Sequence, residues 1–522
     1  MSRFFVTTPI FYVNAAPHLG HCHTLVLADA INRLQKLRYP NKKTLFSTGT
    51  DEHGIKIQRA ARTSGMPEII FCNKISAKFR TLCDEIGTSH DHFIRTTDEN
   101  HKACVASVWE TLVQRGHIYK GQYEGWYSTS DENFVTDVKE IEQKGMKVTV
   151  SVESGNPVEW VKEENYIFRL GSFKDDLLHW LDTEPSLVQP SKFQRILRSY
   201  IEPGLQDLSV SRCRSRAHWG IPVPGDSSQT IYVWLDALTN YLTVAGEPLG
   251  RAYDPASSQV WPPSLHVIGK DILKFHGVYW PAFLMAAGLQ LPQKILCHSH
   301  WTVEDKKMSK SRGNVICPLD LVPVVQPDGL RYFLLREAVP HSDANFSEVK
   351  IKRILNAELA NSLGNLLNRC TSSTVNQNQM IPRFPETDLP LAKTPLQIIE
   401  NALTLSDQVG SSFAEGNFYL GIDLIQKVLR DTNAFVQEAK PWELAKVSKK
   451  SLPARHQLNI TLHTALEVLR IVGILLQPVI PRISQQLLDT LRVEGRNWTD
   501  ASLRRQNDVP LGRKQTLYTR LK

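Results

Sequence analysis

Two pairs of basic side chains, far apart in the sequence, have the residue types and the spacing to bind a polyphosphate. His18 and His21 stand three residues apart near the start of the chain, and Lys307 and Lys310 stand three apart in its second half. Imidazoles can hold a triphosphate, and lysines can neutralise the charge that develops as pyrophosphate leaves. Together, and in this order, the two pairs indicate a site that activates a nucleotide.

The histidines are predicted to lie where a strand gives way to a helix. Residues 3–8 form a buried strand that Pro9 closes. After the histidines, apolar residues recur at helical spacing, at Leu27, Ile31, Leu34 and Leu37. A helix start offers unpaired N–H groups and the positive end of its dipole to a triphosphate, and Gly20 lets the nucleotide approach the backbone. Histidines that only cap the helix or pack in the core are the alternative.

The lysines stand in a segment, residues 305–314, that is too polar and too rich in glycine and serine for a core element. The segment predicts a mobile loop whose lysines close over the polyphosphate and stabilise charge that exists only in the transition state. An ordinary solvated basic loop is the alternative.

These pairs resemble the HIGH and KMSKS signatures of class I aminoacyl-tRNA synthetases. Further blocks narrow the resemblance to methionyl-tRNA synthetases, especially the short mitochondrial type, and they stand at residues 8–14, 49–54, 207–212, 219–224, 233–237 and 269–272. Several blocks in family order are far more specific than any one of them. The resemblance implies an enzyme that forms methionyl-adenylate from methionine and ATP with Mg²⁺, and then charges the 3′ end of methionine tRNA.

The resemblance also implies an ATP site. Both histidines and both lysines would act in catalysis and bind the phosphates, while Gly269 and Asp271 resemble the G-x-D pair that holds the ATP ribose. Activation of a carboxylate needs positioning and charge stabilisation more than it needs a protein nucleophile.

The methionine side chain is unbranched, apolar and soft at sulfur, so its pocket should be aromatic and aliphatic with few polar groups. By resemblance, Asp51 pairs with the α-ammonium group, and the side-chain pocket is lined by Ile10, Tyr12, Trp234, Ala237, Leu238, Tyr241, Ile272 and His276. Core packing is the alternative role for each aromatic residue taken alone. Because one methylene is worth only about 1–3 kcal/mol in such a pocket, homocysteine should be rejected imperfectly by binding.

The order of elements predicts an α/β fold with a doubly wound parallel sheet of the Rossmann type. Residues up to about 115 alternate strand and helix, and residues 265–268 and 295–297 are later buried strands of the same sheet. The predicted domains are a first catalytic half, a connective insert without zinc, a second catalytic half with the KMSKS loop, a stem-contact linker, and an α-helical anticodon-binding domain with a basic tail. They span residues 1–115, 116–222, 223–320, 321–350 and 351–522.

Selection of tRNA is expected in the helical carboxyl-terminal region. An apolar stripe predicts a helix there, at Leu355, Leu359, Leu363 and Leu366. By resemblance, Asn365, Arg369 and Trp442 read the anticodon, because an indole can stack on an unpaired base while amide and guanidinium groups contact base edges. A packed tryptophan with surface polar residues is the alternative. The chain has no room for an appended oligonucleotide-binding domain, so a monomer is expected.

Composition agrees with a tRNA partner without requiring one. The net charge of +8 on 522 residues suits phosphate backbones, and no long apolar run predicts a membrane span. The eight cysteines are scattered and never paired as C-x-x-C. Residues 127–132 replace the cysteine pairs with which many methionyl-tRNA synthetases bind zinc, and serine and aspartate are poor zinc ligands, so no structural zinc is predicted.

The compartment follows from the resemblance, which implies the mitochondrial matrix. Residues 1–3 lead directly into the first strand and leave no room for a transit peptide, so a presequence is expected to have been removed or omitted. Two other classes of protein are open. A small nucleotidyltransferase shares the histidine turn but would not need the helical region, and a silent tRNA-binding relative would not need the histidines, the lysines and Asp51, all of which are present.

Overall fold

The computed structural model describes residues 3–128, 133–135, 137–143, 146–152, 154–246, 260–308, 313–384, 393–502 and 508–522. Its first part alternates strands and helices, as the sequence predicts. These elements are β1 (Phe4–Thr7), β2 (Phe11–Tyr12), α1 (Leu19–Arg38), β3 (Thr44–Asp51), α2 (Ile55–Thr63), α3 (Glu68–Glu85), β4 (His92–Arg95) and α4 (Glu99–Gln114). The aromatic and β-branched residues of β1 are all buried, which suits a central strand of a parallel sheet.

The predicted insert contains mainly antiparallel strands. Its elements are β5 (Ile118–Ser128), β6 (Asn133–Val135), β7 (Val138–Gln143), β8 (Met146–Ser151), β9 (Glu159–Phe168), α5 (Lys174–Thr183), β10 (Val188–Gln189), α6 (Ser191–Ile201), β11 (Leu208–Ser209), β12 (Ser211–Cys213) and β13 (Pro222–Val223). The long strands β5 and β9 pair with each other over ten residue pairs, from Ile118 with Phe168 to Tyr127 with Glu159.

The second catalytic part returns to the first sheet. Its elements are β14 (Asp226–Ile231), α7 (Val233–Ala245), β15 (Leu265–Gly269), a π-helical turn (Phe275–Tyr279), α8 (Trp280–Ala287), β16 (Ile295–His298), β17 (Trp301–Val303), β18 (Lys306–Lys307), α9 (Pro318–Val325), α10 (Pro327–Glu337) and β19 (Ala344–Phe346).

The central sheet has seven strands in the order β10-β16-β15-β1-β3, with β2 and β4 both paired to β3. All of these pairs are parallel, so the predicted doubly wound sheet is confirmed. The two later strands predicted at 265–268 and 295–297 are β15 and β16. One strand has an unexpected origin: β10 comes from the predicted insert, residues 116–222, and forms an edge of the catalytic sheet. The exact domain boundaries therefore stay a prediction.

The carboxyl-terminal region is helical, as predicted. Its elements are α11 (Glu348–Ile354), a π-helical segment (Leu355–Asn365), α12 (Leu366–Thr371), β20 (Met380–Ile381), α13 (Lys393–Ala414), α14 (Phe418–Ala439), α15 (Pro441–Val447), α16 (Leu452–Leu475), α17 (Pro481–Thr490) and β21 (Val509–Pro510). By length and composition α16 could cross a membrane, but 94% of its most apolar window is buried inside the protein, which makes it a core helix.

The basic tail packs back onto the body of the molecule. Tyr518 is 5% exposed and donates a hydrogen bond from its hydroxyl group to the backbone oxygen of Val325 at 2.8 Å. The backbone nitrogen of Leu521 donates to Asn356 Oδ1, also at 2.8 Å. These contacts attach the end of the chain to α9 and to the π-helical segment.

A buried arginine joins helix α1 of the catalytic domain to the helical region. Arg331 of α10 is fully buried, and its Nη1 lies 2.7 Å from Oδ2 of Asp29 on α1. The same guanidinium group donates to the backbone oxygens of Val479 and Pro478, between α16 and α17, at 3.0 and 2.9 Å. The helix that begins at the histidines is therefore fixed to the helical region through one side chain.

We expect Arg331→Met to destabilise the protein by about 3–5 kcal/mol, because it removes one partner of a buried ion pair and leaves the backbone oxygens of Val479 and Pro478 without this donor. Urea unfolding followed by fluorescence measures this loss. The control is Arg33→Met, because Arg33 pairs with the same Asp29 oxygen at 2.7 Å but is 26% exposed. An equal, small effect of both substitutions would contradict the prediction.

Candidate active site

A cavity of about 340 Å³ opens at the carboxyl ends of β1, β3, β15 and β16. This volume is in the range of small-molecule sites, and the position is where parallel α/β sheets bind their ligands. Lys310 lies outside the described residues. All the other predicted catalytic, ATP-binding and methionine-binding residues line the cavity, namely Ile10, Tyr12, His18, His21, Asp51, Trp234, Ala237, Leu238, Tyr241, Gly269, Asp271, Ile272, His276 and Lys307.

His18 and His21 lie side by side at the first turn of α1. Their rings stack with 3.7 Å between centroids. Nδ1 of His18 accepts a hydrogen bond from the backbone N–H of Gly20 at 3.1 Å, and Nδ1 of His21 accepts one from the backbone N–H of His18 at 3.2 Å. This reciprocal arrangement caps the helix. The two rings therefore do both things that the sequence left open: they cap α1 and they line the cavity.

Both imidazoles are neutral near pH 7. Burial and the nearby His300 and Lys307 lower the pKa of His18 to about 4, and burial together with His18 lowers the pKa of His21 well below its usual value. Because Nδ1 of each ring is an acceptor, the proton of each neutral ring is on Nε2. The pair can therefore offer N–H donors to phosphate oxygens without bringing two positive charges together.

Lys307 and Asp271 meet in the same cavity, close enough to His18 for Lys307 to affect its pKa. Nζ of Lys307 lies 3.1 Å from Oδ2 of Asp271, and Nε2 of His300 lies 3.1 Å from the same oxygen. Burial opposes ionisation of this carboxyl, but hydrogen bonding and charge from His300 and Lys307 hold the pKa of Asp271 below its usual range. The prediction of a loop is wrong at Lys307, which lies on β18. The backbone of β18 pairs with that of β17, and Lys307 stands opposite Thr302.

The aromatic wall of the cavity comes from α7 and from the π-helical turn. The ring of Trp234 stacks on Phe275 with 3.6 Å between centroids. Nδ1 of His276 donates to the backbone oxygen of Ile272 at 3.0 Å, so its Nε2 accepts from the Tyr241 hydroxyl group at 2.8 Å. Burial lowers the pKa of His276 to about 4. This wall is therefore uncharged, which suits an apolar thioether.

Asp51 faces that wall from the sheet. It is 9% exposed, ends β3 and pairs with Tyr12 of β2. The next residue anchors the strand end, because the carboxylate of Glu52 accepts two hydrogen bonds from Arg95, both at 2.8 Å. A carboxylate at the edge of an aromatic pocket suits an ammonium group of the substrate.

Several residues in or next to the cavity are not predicted from the sequence, and two of them contact predicted site residues directly. His300 lines the cavity and contacts Asp271, and Phe275 stacks on Trp234. His300 follows the buried strand β16 by two residues, and a polar side chain just past a parallel strand is a signal that could have identified it. Phe275 offered no such signal, since its contact with α7 exists only after the π-helical turn has formed.

A second group of predicted residues lies in the helical region. The guanidinium carbon of Arg369, on α12, is 5.2 Å from the ring centroid of Trp442 at the start of α15. Arg369 also donates to Gln437 Oε1 at 2.9 Å, and Asn365 is exposed at the end of the π-helical segment. Trp442 is half-buried against the core, so part of its ring has a packing role. The structure brings Arg369 and Trp442 together, while the anticodon role of all three stays a prediction.

The metal content of the insert also stays a prediction. In the part of the chain that the structure describes, no group of three or more His, Cys, Asp or Glu residues is arranged to hold a metal ion. Residues 129–132, where the sequence shows serine and aspartate in place of cysteine pairs, lie outside the described residues.

Comparison with known proteins gives consistent matches along the chain. A family model described as tRNA synthetases class I (M) matches residues 4–371, and one described as the anticodon binding domain of methionyl tRNA ligase matches residues 424–520. The mitochondrial methionine–tRNA ligase of Homo sapiens is 46% identical over 506 residues, which are 94% of this chain and 84% of that relative. The corresponding ligase of Mus musculus is 47% identical over 507 residues, 94% and 85% of the two chains.

A solved structure agrees with these matches. Mycobacterium tuberculosis methionyl-tRNA synthetase in complex with methionyl-adenylate is 36% identical and superposes with a TM-score of 0.93, and the match covers 100% of both chains.

The parallel sheet, the crevice at its carboxyl ends and the helical region that follows define a class I aminoacyl-tRNA synthetase. The family models and the relatives then specify the branch of that class. The chain belongs to the methionyl-tRNA synthetase family.

Proposed function

We propose that the chain is a methionine–tRNA ligase, which activates methionine with ATP to methionyl-adenylate and transfers the methionyl group to the 3′ end of methionine tRNA. The observation that carries this proposal is a single cavity. It joins an uncharged aromatic pocket and the Asp51 carboxylate to the paired histidines and to Lys307. A methionine ammonium group, a thioether and a triphosphate need these three environments next to one another.

In the first step the methionine carboxylate oxygen attacks the α-phosphorus of ATP. A carboxyl-oxygen–phosphorus bond forms and the bond to the bridging oxygen of pyrophosphate breaks. The Nε2–H groups of His18 and His21 donate to phosphate oxygens, and Lys307 and Lys310 neutralise the departing pyrophosphate. No protein nucleophile takes part, because the substrates supply both reacting groups.

Gly269 and Asp271 are proposed to hold the ribose of ATP. Gly269 ends β15, and the ionised Asp271 carboxylate beside it can accept hydrogen bonds from ribose hydroxyl groups. Mg²⁺ enters as part of the MgATP substrate, with phosphate oxygens and water as ligands that suit this cation. In the second step a hydroxyl group of the terminal tRNA adenosine, the 2′-hydroxyl in the class I manner, attacks the adenylate carbonyl and releases AMP.

Amino-acid-dependent exchange of pyrophosphate into ATP tests this function directly. Methionine is expected to support exchange far better than leucine, isoleucine or cysteine, with weaker exchange on homocysteine because one methyl group is worth only about 1–3 kcal/mol. Folded protein that shows no exchange with methionine would overturn the proposal.

Trp442→Ala is expected to leave methionine-dependent exchange unchanged and to raise the KM for tRNA. Stacking of one base on an aromatic side chain is worth about 1–3 kcal/mol, so the rise should be about fivefold or more. Steady-state aminoacylation at varied tRNA measures it. Trp442→Phe keeps an aromatic face and should recover part of the affinity, whereas equal damage to exchange and to charging would contradict an anticodon role.

The remaining parts of the proposal concern location and organisation. The similar ligases of Homo sapiens and Mus musculus are named as mitochondrial, which supports a place in the mitochondrial matrix. We propose a monomer built from the five predicted segments, with β10 shared between the insert and the catalytic sheet. Light scattering of the purified protein tests the monomer.

A further inference from the structure

A buried carboxylate held between two imidazoles lies directly behind the aromatic wall of the cavity. Oδ2 of Asp236 is 2.7 Å from Nδ1 of His53, and its Oδ1 is 2.8 Å from Nε2 of His101. Asp236 and His101 are 1% and 0% exposed, and His53 is 4% exposed. Nδ1 of His101 is in turn 2.9 Å from the Thr243 hydroxyl oxygen. We call these three residues, Asp236, His53 and His101, the carboxylate brace.

The brace joins the two sides of the methionine pocket. His53 follows Asp51, the proposed partner of the substrate ammonium group, by two residues. Asp236 stands in the first turns of α7, between Trp234 and Ala237, which line the cavity. His101 on α4 contacts both Asp236 and Thr243, so it binds α7 at two positions that lie about two helical turns apart. The carboxylate of Asp236 therefore links the segment that follows Asp51 directly to α7.

The surrounding contacts show that both carboxylate oxygens of Asp236 are used in the contacts with the two histidines. An aspartate near a helix start commonly stabilises the helix dipole from the surface. Here α7 begins without a side-chain cap, and both oxygens of Asp236 bond to histidines from other elements. Burial alone would raise the pKa of the Asp236 carboxyl, but attraction to His53 and the hydrogen bonds from both histidines keep this pKa below its usual value.

The segment that carries His53 is fixed on its other side as well. Glu52 is held by Arg95, and the indole nitrogen of Trp219 donates to the backbone oxygen of Glu52 at 2.6 Å. The backbone nitrogen of Gly54 donates to the backbone oxygen of Trp219 at 2.9 Å. Because these contacts fix the segment that carries His53, the hydrogen bond from His53 to Asp236 fixes the position of α7 relative to that segment.

We propose that Asp236, held by His53 and His101, is a positioning residue that sets the spacing of the methionine pocket and so contributes to the choice of amino acid. This inference rests on the function proposed above. A site must hold its groups closely, since a displacement of about 1 Å can cost about 100-fold in rate. The brace connects the segment next to the ammonium site to the helix that carries the aromatic wall. Among the described residues, the proposed ATP-binding residues make no hydrogen bond or ion pair with the brace.

The test compares Asp236→Asn with two substitutions of its partner. Asn keeps the shape of aspartate, but only one of its two terminal atoms can accept a hydrogen bond. The KM for methionine in pyrophosphate exchange should therefore rise about tenfold or more. The KM for ATP should change less than about twofold. His53→Asn places an amide N–H near the position of Nδ1 and should stay close to the parent protein. His53→Leu removes the donor and should resemble Asp236→Asn. The preference for methionine over homocysteine should fall in the two damaged variants.

A matched control separates this role from general loss of stability. Glu467 of α16 is also a buried carboxylate, paired with Arg470 at 3.0 Å, but it lies in the helical region. Glu467→Gln should lower the melting temperature without changing the KM for methionine. The proposal is overturned by parallel changes in the KM for methionine and for ATP, by unchanged KM values in Asp236→Asn, or by equal damage from His53→Asn and His53→Leu.

If Asp236→Asn does not fold, the comparison of His53→Asn with His53→Leu tests whether the brace positions the methionine pocket. Failure of the parent protein to catalyse methionine-dependent exchange is a different result, since it would reject the proposed function rather than the brace.

Discussion

Replacement of Lys307 by methionine is expected to lower the turnover of methionine-dependent pyrophosphate exchange by about 10²–10³-fold, the cost of removing one group that stabilises transition-state charge. Lys307 lines the same cavity as the neutral histidine pair, and its ammonium group is already 3.1 Å from Asp271. Because His18 and His21 offer hydrogen bonds rather than positive charge, the protein's own neutralisation of the departing pyrophosphate, beyond that by Mg²⁺, is assigned to the lysines. The binding of methionine alone should hardly change.

Two further variants test whether the loss of rate comes from the charge of Lys307 itself. Lys307→Arg keeps the charge and should recover much of the rate, although a planar guanidinium group is not equivalent to an ammonium group. Lys306→Met removes the preceding lysine on the same strand, which is exposed and does not line the cavity, and should leave the rate within about twofold. Loss of methionine affinity in Lys307→Met, or an equal loss of rate in Lys306→Met, would contradict the assigned role.

The parts of the fold that the sequence predicts are those that local patterns determine. The buried strand β1, the helix after the histidines and the apolar stripe of residues 355–366 follow from hydrophobic spacing. The predicted strands at 265–268 and 295–297 pair in the central sheet because mainly apolar runs suit strands that are buried on both faces. The resemblance supplied what spacing cannot, namely that Ile10, Asp51, Trp234 and His276 meet in one cavity.

Other features depend on contacts between distant segments and leave no local signal. The two-residue strand β10 is defined by its pairing with β16, more than one hundred residues later, so its short sequence resembles any loop. The polar segment around Lys307 predicts a loop, but pairing with β17 makes Lys307 part of a strand. The carboxylate brace was also missed, since His53, His101 and Asp236 come from three separate segments and each resembles an ordinary buried residue by itself.

Asp51→Asn is expected to weaken methionine binding by about 2–5 kcal/mol, which is roughly 30-fold or more in Kd. The substitution keeps the size and shape of the side chain and removes its charge. Asp51 is 9% exposed, so water replaces the lost interaction only poorly, and the aromatic wall opposite is uncharged. The substrate ammonium group would then be partly buried without a counter-charge. Isothermal titration calorimetry with methionine measures the change.

The matched control changes the ligand instead of a second residue. An analogue that lacks the amino group, 4-(methylthio)butanoate, cannot pair with Asp51 and should bind the parent protein weakly. Its affinity should be unchanged or improved in Asp51→Asn, because a carboxylate facing no ammonium group is the less favourable neighbour for an anionic ligand. The pair of ligands thereby isolates the charge interaction from any rearrangement of β3. Equal losses for methionine and for the analogue would mean that Asp51 supports the strand end and does not bind the ammonium group.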